Sequence, residues 1–144
     1  MKIYLAADHA GFELKEKVKK FLQEKGHEVQ DFGASEYSEL DDYPDFMIPA
    51  AKALSENPEN RAIFIGGSGQ GEAMVANRQK NVRAAVYYGG NTEIVRLSRE
   101  HNNSNLLAIG ARFVAEDEAL KAIDLWLGTP FTGEERHVRR LAKF

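Results

Sequence analysis

The segment from Arg61 to Glu72, RAIFIGGSGQGE, joins a short apolar run to a glycine-rich turn that ends in a carboxylate. Backbone N–H groups left free at the start of a helix bind anions or developing oxyanions. Ser68 adds a hydroxyl and Glu72 a possible base within the same turn. A structural turn needs one glycine with positive φ, whereas this turn has four glycines in six residues. The pattern indicates a site that binds an oxyanion and moves a proton.

Other glycine motifs do not match this loop. Its order is G-x-x-G-x-G instead of the dinucleotide-binding G-x-G-x-x-G, and it lacks the Gly-Lys-Ser/Thr of a P-loop. A nucleophile elbow, G-x-S-x-G, would need glycine where the chain has Gln70. Glu72 could be only a first-turn acid that complements the helix dipole. Its position directly after the loop favours a base that removes a proton next to a carbonyl.

Further polar residues lie close to the ends of expected strands and helices. Asp8 and His9 follow the first apolar run, where Asp8 could bind a hydroxyl or cap the next helix. The polar run 99–105 indicates a sugar cleft, with His101 as an acid or base. Arg136 and Arg140 are four residues apart on one helix face, either as solvated surface or as a phosphate clamp. The histidines show no metal-ligand spacing, so no metal site is expected.

Alternating strands and helices must position these groups. Apolar runs predict strands at 3–7, 29–32, 62–65, 84–88 and 106–109. Helical spacing and end signals predict helices from about 12 to Gly26, from Pro44 to about 55, from near Gln70, over 92–101, around 120–128 and over 133–144. The order predicts an α/β fold, a three-layer, doubly wound, Rossmann-like sheet of five parallel strands with a C-terminal helical tail. Residues 1–144 form a single domain in this interpretation.

The topology would bring the candidate groups together. In open parallel sheets, ligands bind at the carboxyl ends of the strands. Asp8-His9, the glycine loop and Gly110-Ala111-Arg112 each follow an expected strand. We therefore expect these three turns to form one cleft.

The composition excludes several classes of protein. With 144 residues, 43% hydrophobic and 28% charged, the chain is long and apolar enough for one globular core. A net charge of −3 gives no basic surface for nucleic acid, and no apolar run is long enough for a membrane span. The first acid comes too early for a signal peptide, and the chain has no cysteine for a disulfide or a thiolate. A cytoplasmic protein is expected.

From residue 1 to about 144 the chain resembles the type B ribose-5-phosphate isomerases, a family that includes galactose-6-phosphate isomerase subunits. The resemblance rests on eight segments: ADHAGF at 7–12, DYPD at 42–45, GGSGQGE at 66–72, AN at 76–77, RAA at 83–85, SREHN at 98–102, GAR at 110–112 and RHVRR at 136–140. They follow the family's order along the whole chain.

The resemblance implies an aldose–ketose isomerase of pentose phosphate metabolism that works through an enediolate without metal or cofactor. Many members have a catalytic cysteine at the position of Gly66, whereas this chain resembles a subclass in which the base is the glutamate, here Glu72. Ser68 and the amides of the loop would stabilise the oxyanion, and His101 would help to open the sugar ring. The implied substrate contacts are Asp8, His9, Tyr43, Gly67, Gly69, Gln70, Gly71, Asn102, Arg112, Arg136 and Arg140.

Family members are homodimers or homotetramers with sites at the dimer interface, so Arg136 and Arg140 are expected from the partner subunit. Ribose 5-phosphate and ribulose 5-phosphate are the favoured substrates. Two alternatives stay open, namely the same chemistry on a four- or six-carbon sugar phosphate, and a non-catalytic sugar-phosphate-binding subunit.

Overall fold

The computed structural model describes all 144 residues. Its elements follow the predicted alternation, in the order β1 (Lys2–Ala7), α1 (Phe12–Glu24), β2 (Glu28–Asp31), α2 (Tyr43–Glu56), β3 (Arg61–Gly66), α3 (Gln70–Ala76), β4 (Ala84–Tyr87), α4 (Glu93–Glu100), β5 (Leu106–Gly110), α5 (Glu116–Gly128) and α6 (Glu135–Leu141). None of the helices combines the length and the apolar character needed to cross a bilayer.

The five strands form one parallel sheet in the order β2-β1-β3-β5-β4. The three central strands are buried almost along their whole length, which is why they read in the sequence as continuous apolar runs. Successive side chains point to opposite faces of the sheet. In β1, Leu5 therefore belongs to one apolar core and its neighbour Ala6 to the other.

The helices cover both faces, as expected for a doubly wound sheet. On one face, α1, α4 and α5 contribute Val18, Val95 and Trp126 to a core with the odd-numbered residues of β1 and β3. On the other face, α2 and α3 contribute Met47 and Ala73 to a second core. The sheet and its two helical layers confirm the predicted three-layer α/β fold.

The chain reverses its winding direction between β1 and β3. From β1 it moves outward to β2, and it then returns to form β3 on the other side of β1. At such a switch point the loops that follow the two strands separate and leave a crevice at their carboxyl ends. Asp8 and the glycine loop follow these two strands, so the fold brings them to the same crevice.

Candidate active site

A cleft of about 390 Å³ opens at the carboxyl ends of β1, β3 and β5. All three turns that the sequence placed at this edge contribute to it, together with the start of α2. Its lining residues are Asp8, His9, Ala10, Tyr43, Gly67, Ser68, Gly71, Glu72, Arg112 and Phe113. Eight of these were candidates from the sequence, and Ala10 and Phe113 complete the wall.

The glycine loop crosses from β3 to α3 with unpaired backbone donors. The N–H groups of Gly67 and Ser68 donate to no acceptor within the chain, whereas the Gly69 N–H interacts with the Glu72 carboxylate. Gly69 has a φ of +78°, and a Cβ at this position would lie 3.2 Å from the Gly110 nitrogen. Glycine therefore allows the loop to turn while it stays close to β5. Ser68 Oγ accepts a hydrogen bond from the Gln70 N–H at 3.3 Å.

Glu72 lies in the first turn of α3, and only 4% of its surface is exposed. Its carboxylate folds back onto Gly66, where a Cβ would lie 1.9 Å from Glu72 Oε1 and 2.2 Å from its Cδ. The carboxylate therefore occupies the space that any side chain at position 66 would need. Burial raises the pKa of Glu72 above its usual value of 4.5, and the charge of Asp8 adds to this. The neighbouring N–H groups of Glu72 and Gly69 act in the opposite direction.

Asp8 fixes the turn that precedes α1 and also lines the cleft. Its Oδ1 accepts hydrogen bonds from the N–H groups of Ala10 at 3.0 Å and Gly11 at 3.3 Å. Its Oδ2 lies 3.9 Å from His9 Nδ1. The capping interpretation of Asp8 is therefore wrong, because the N-cap of α1 is Gly11 and the helix has no side-chain cap. Asp8 Oδ2 accepts no hydrogen bond within the chain.

His9 has a partner that the sequence reading missed. Asp41 Oδ1 lies 2.7 Å from His9 Nδ1 and also accepts the backbone N–H of His9 at 3.0 Å. Asp41 comes from an exposed segment 32 residues away and follows no periodic pattern, so no local signal marked it. Asp8, His9 and Asp41 form the one acid–histidine group close enough to hold a cation, with ligand atoms within 4.8 Å of one another.

Tyr43 and Arg112 close the cleft from two sides. The Tyr43 ring packs on Gly71, where a Cβ would lie 2.7 Å from the ring carbon Cζ. The Arg112 backbone N–H donates to the Gly67 carbonyl at 3.1 Å, and its guanidinium lies over the same residue. Arg112 is exposed and forms no salt bridge, in contrast to Arg136 and Arg139. Its charge is therefore available to an anion in the cleft.

Four candidates lie at the other edge of the sheet. Asn102 lines a separate hollow of about 410 Å³ with Arg83 and Ala84, at the beginning of β4. His101 stacks on His137 with ring centroids 4.3 Å apart. In α6, Arg136 pairs with Glu134 at 3.0 Å, while Arg140 forms no salt bridge. Within one chain, His101, Asn102, Arg136 and Arg140 therefore do not line the cleft that contains Glu72.

Comparison with known proteins identifies the family. The model of the family described as Ribose/Galactose Isomerase matches residues 3–144, and the chain belongs to this family. The chain is 42% identical over 141 residues to a protein of Mycolicibacterium paratuberculosis named ribose-5-phosphate isomerase B, which covers 98% of this chain and 87% of the relative. The family and the expected class, an aldose–ketose isomerase, are thus confirmed.

Solved structures agree with the fold. A ribose-5-phosphate isomerase B of Clostridium thermocellum superposes with a TM-score of 0.93 at 43% identity, over 99% of this chain and 94% of that one. The enzyme of Mycoplasma genitalium, solved with bound ribulose-5-phosphate, superposes with a TM-score of 0.94 at 36% identity, over 99% and 92% of the two chains.

Proposed function

We propose that the protein interconverts ribose 5-phosphate and ribulose 5-phosphate without a cofactor and that Glu72 is the base. The observation that carries this proposal is the buried Glu72 carboxylate, held against Gly66 beside the unpaired N–H groups of Gly67 and Ser68. A base and oxyanion donors, both fixed before the substrate arrives, are what proton abstraction next to a carbonyl requires. The names of the relatives and the pentose phosphate bound in one of them support the choice of substrate.

The reaction moves one proton between two neighbouring carbons. Glu72 removes the C2 proton of the open-chain aldose, and the electron pair of that bond forms the enediolate double bond. The charge that develops on O1 is stabilised by the loop N–H groups and by the Ser68 hydroxyl. A proton then moves from O2 to O1, and Glu72 returns its own proton to C1, which gives the ketose. A carboxylate whose pKa is raised by burial is a stronger base for a carbon acid than an exposed one.

The other residues of the cleft are assigned to binding. Asp8 Oδ2 accepts a sugar hydroxyl, and Tyr43 forms an apolar wall for the carbon chain. His9 and Arg112 contact the substrate from the β1 and β5 turns. The amides of Gly67, Gly69, Gln70 and Gly71 complete the oxyanion site.

A second copy of the chain completes the site in this proposal. The cleft contains a single arginine, Arg112, whereas Arg136 and Arg140 lie on α6 beyond the other edge of the sheet. We assign His101 to opening of the sugar ring, Asn102 to a hydroxyl and the two α6 arginines to the phosphate, all from the partner. A homodimer or homotetramer would thus share each site between two chains.

The first experiment measures isomerase kinetics on ribose 5-phosphate for the wild type and Glu72→Gln. Loss of a positioned base lowers kcat by about 10²-fold or more. Glu56→Gln is a matched control, because Glu56 is exposed at the end of α2. A Glu72→Gln variant that keeps the kcat of the wild type would exclude Glu72 as the base.

The shared site predicts complementation between inactive variants. Glu72→Gln and His101→Ala each damage every site of their own homodimer, but a mixed dimer contains one site with neither change. Refolding the two variants together would thus restore up to about a quarter of the wild-type activity, since half of the dimers are mixed. No recovery in verified mixed dimers would refute a site built from two chains.

The two alternatives have their own tests. Equal or better kcat/KM on four- or six-carbon sugar phosphates would change the substrate but leave the chemistry intact. Binding of a sugar phosphate by the purified chain without turnover would indicate a non-catalytic subunit. The buried Glu72 argues against that alternative, because a binding protein needs no base.

A further inference from the structure

Asp41 holds the imidazole of His9 in one orientation. Its Oδ1 lies 2.7 Å from His9 Nδ1 and accepts the His9 backbone N–H at 3.0 Å. A carboxylate accepts hydrogen bonds but does not donate them, so Nδ1 must carry the proton in this pair. The same oxygen therefore fixes both the backbone and the ring of His9.

Asp41 is the one acid of its loop that turns inward. Glu36, Glu39 and Asp42 are exposed, whereas the Asp41 side chain is 10% exposed. Its Oδ2 is buried and has no hydrogen-bond partner. Burying a carboxylate without full hydrogen bonding costs free energy. The three exposed acids of the loop do not have this cost, whereas Asp41 does. The two hydrogen bonds with His9 are the interactions that offset the cost of burying Asp41.

The remaining ring nitrogen of His9, Nε2, is free. His9 lines the cleft with Glu72 and Arg112, and its Nε2 has no partner within the protein and is not buried. Because Nδ1 is occupied by Asp41, Nε2 is the atom that can contact a ligand. A hydrogen bond to one ring nitrogen fixes the tautomer and the orientation of a histidine ring.

We infer that Asp41 is a positioning residue that presents Nε2 of His9 to the substrate. This inference rests on the proposed function only for the identity of the substrate. The tautomer and the orientation of the His9 ring do not depend on that function. The groups that face the ring are Asp8 at 3.9 Å from Nδ1, Asp41, Tyr37 edge-on at 6.5 Å between ring centroids, and the cleft residues Glu72 and Arg112. Of these, Asp41 alone is within hydrogen-bond distance of the ring.

The kinetic test compares Asp41→Ala, Asp41→Asn and a matched control, Asp42→Asn. Asp41→Ala should raise KM about tenfold, the effect typical of losing a partner that orients a binding group, and leave kcat less affected. Asp41→Asn should recover part of the loss, because an amide oxygen still accepts both N–H groups. Asp42→Asn removes the same charge at an exposed neighbour whose side chain makes no capping bond, so its KM should not change.

The ring itself is followed by ¹⁵N NMR of the imidazole nitrogens above the pH at which histidine titrates, without substrate. In the wild type His9 should be protonated at Nδ1, and in Asp41→Ala it should shift to the Nε2–H form. Asp41→Asn keeps an oxygen acceptor, so its His9 signals should resemble those of the wild type. If Asp41→Ala does not fold, the spectrum of Asp41→Asn is the one compared with the wild type.

The outcomes separate a positioning role from a structural one. Unchanged His9 signals in Asp41→Ala would overturn the inference, even if KM rose with a loss of stability. Changed signals with an unchanged KM would overturn it as well. If the wild type lacked isomerase activity, the proposed function would fall, while the ¹⁵N signals would still decide whether Asp41 sets the state of His9.

Discussion

Replacing Gly66 by alanine should inactivate the protein without unfolding it. The added Cβ would lie 1.9 Å from Oε1 of Glu72 and 2.2 Å from its Cδ. These atoms belong to the free end of a flexible side chain, so the carboxylate can rotate away while the backbone of β3 stays in place. The substitution therefore displaces the proposed base and changes no functional group.

The size of the effect follows from the overlap. Non-bonded heavy atoms settle at about 3.5 Å, so the carboxylate of Glu72 must move by about 1.5 Å. A misplacement of about 1 Å can cost about 10²-fold in rate. We therefore expect kcat of Gly66→Ala to fall by about 10²-fold or more. Its thermal midpoint should change by only a few degrees, which corresponds to about 1 kcal/mol.

The assay follows ribulose 5-phosphate formation, with a thermal melt on the same samples. Gly128→Ala is the matched control, since a Cβ at Gly128 has no atom within 4 Å. It should retain the kcat and the melting temperature of the wild type. A folded Gly66→Ala variant with kcat within about twofold of the wild type would refute the assignment, because a group moved by this distance cannot keep its full rate as the base.

Three further predictions concern charge. First, because burial and the charge of Asp8 raise the pKa of Glu72, kcat/KM should fall as pH drops through that raised value, and in Asp8→Asn this limb should move to lower pH; pH profiles without such a shift would contradict the coupling. Second, a carboxyl pKa raised on folding stabilises the protein at low pH and loses that contribution as pH rises, so Glu72→Gln should melt above the wild type at neutral pH, with a gap that narrows toward pH 4.5 in calorimetry; a lower melting temperature at neutral pH would contradict it. Third, Asp31→Ala should cost about 3 kcal/mol in urea unfolding, since it removes the 2.8 Å partner of the fully buried Lys15, whereas Lys15→Met should cost less; equal losses would contradict it.

Much of the fold could be predicted because apolar runs and end signals are local. The strand expected at 62–65 is β3, Arg61–Gly66, and the one expected at 84–88 is β4, Ala84–Tyr87. Gly26 lies two residues beyond α1 with a φ of +81°, as its role in ending that helix requires. The tail was expected to be helical from Gly133 to Phe144, but α6 spans only Glu135–Leu141, so these bounds were too wide at both ends. The order of the strands depends on contacts between distant segments, which no local pattern specifies.

The site was predictable where its residues follow strands. Asp8, Gly67 and Arg112 could be assigned to one cleft, because the carboxyl ends of parallel strands lie at the same edge. Asp41 could not, since it reaches His9 from an irregular loop. His101 follows α4 and precedes β5. It therefore lies near the amino ends of the strands, at the edge of the sheet opposite the cleft. The roles of these residues stay predictions that the kinetic experiments test.

The contact between Glu72 and Gly66 also restricts how such a sequence can diverge. A side chain at position 66 and a carboxylate folded back from position 72 need the same volume, so they exclude each other in one chain. A lineage that exchanged the proposed base Glu72 for a cysteine at position 66 would have to lose or redirect the carboxylate before, or together with, the gain of the thiol. Loss of Glu72 alone would remove the proposed base, and a side chain at position 66 alone would displace it, so the two positions should change as a pair.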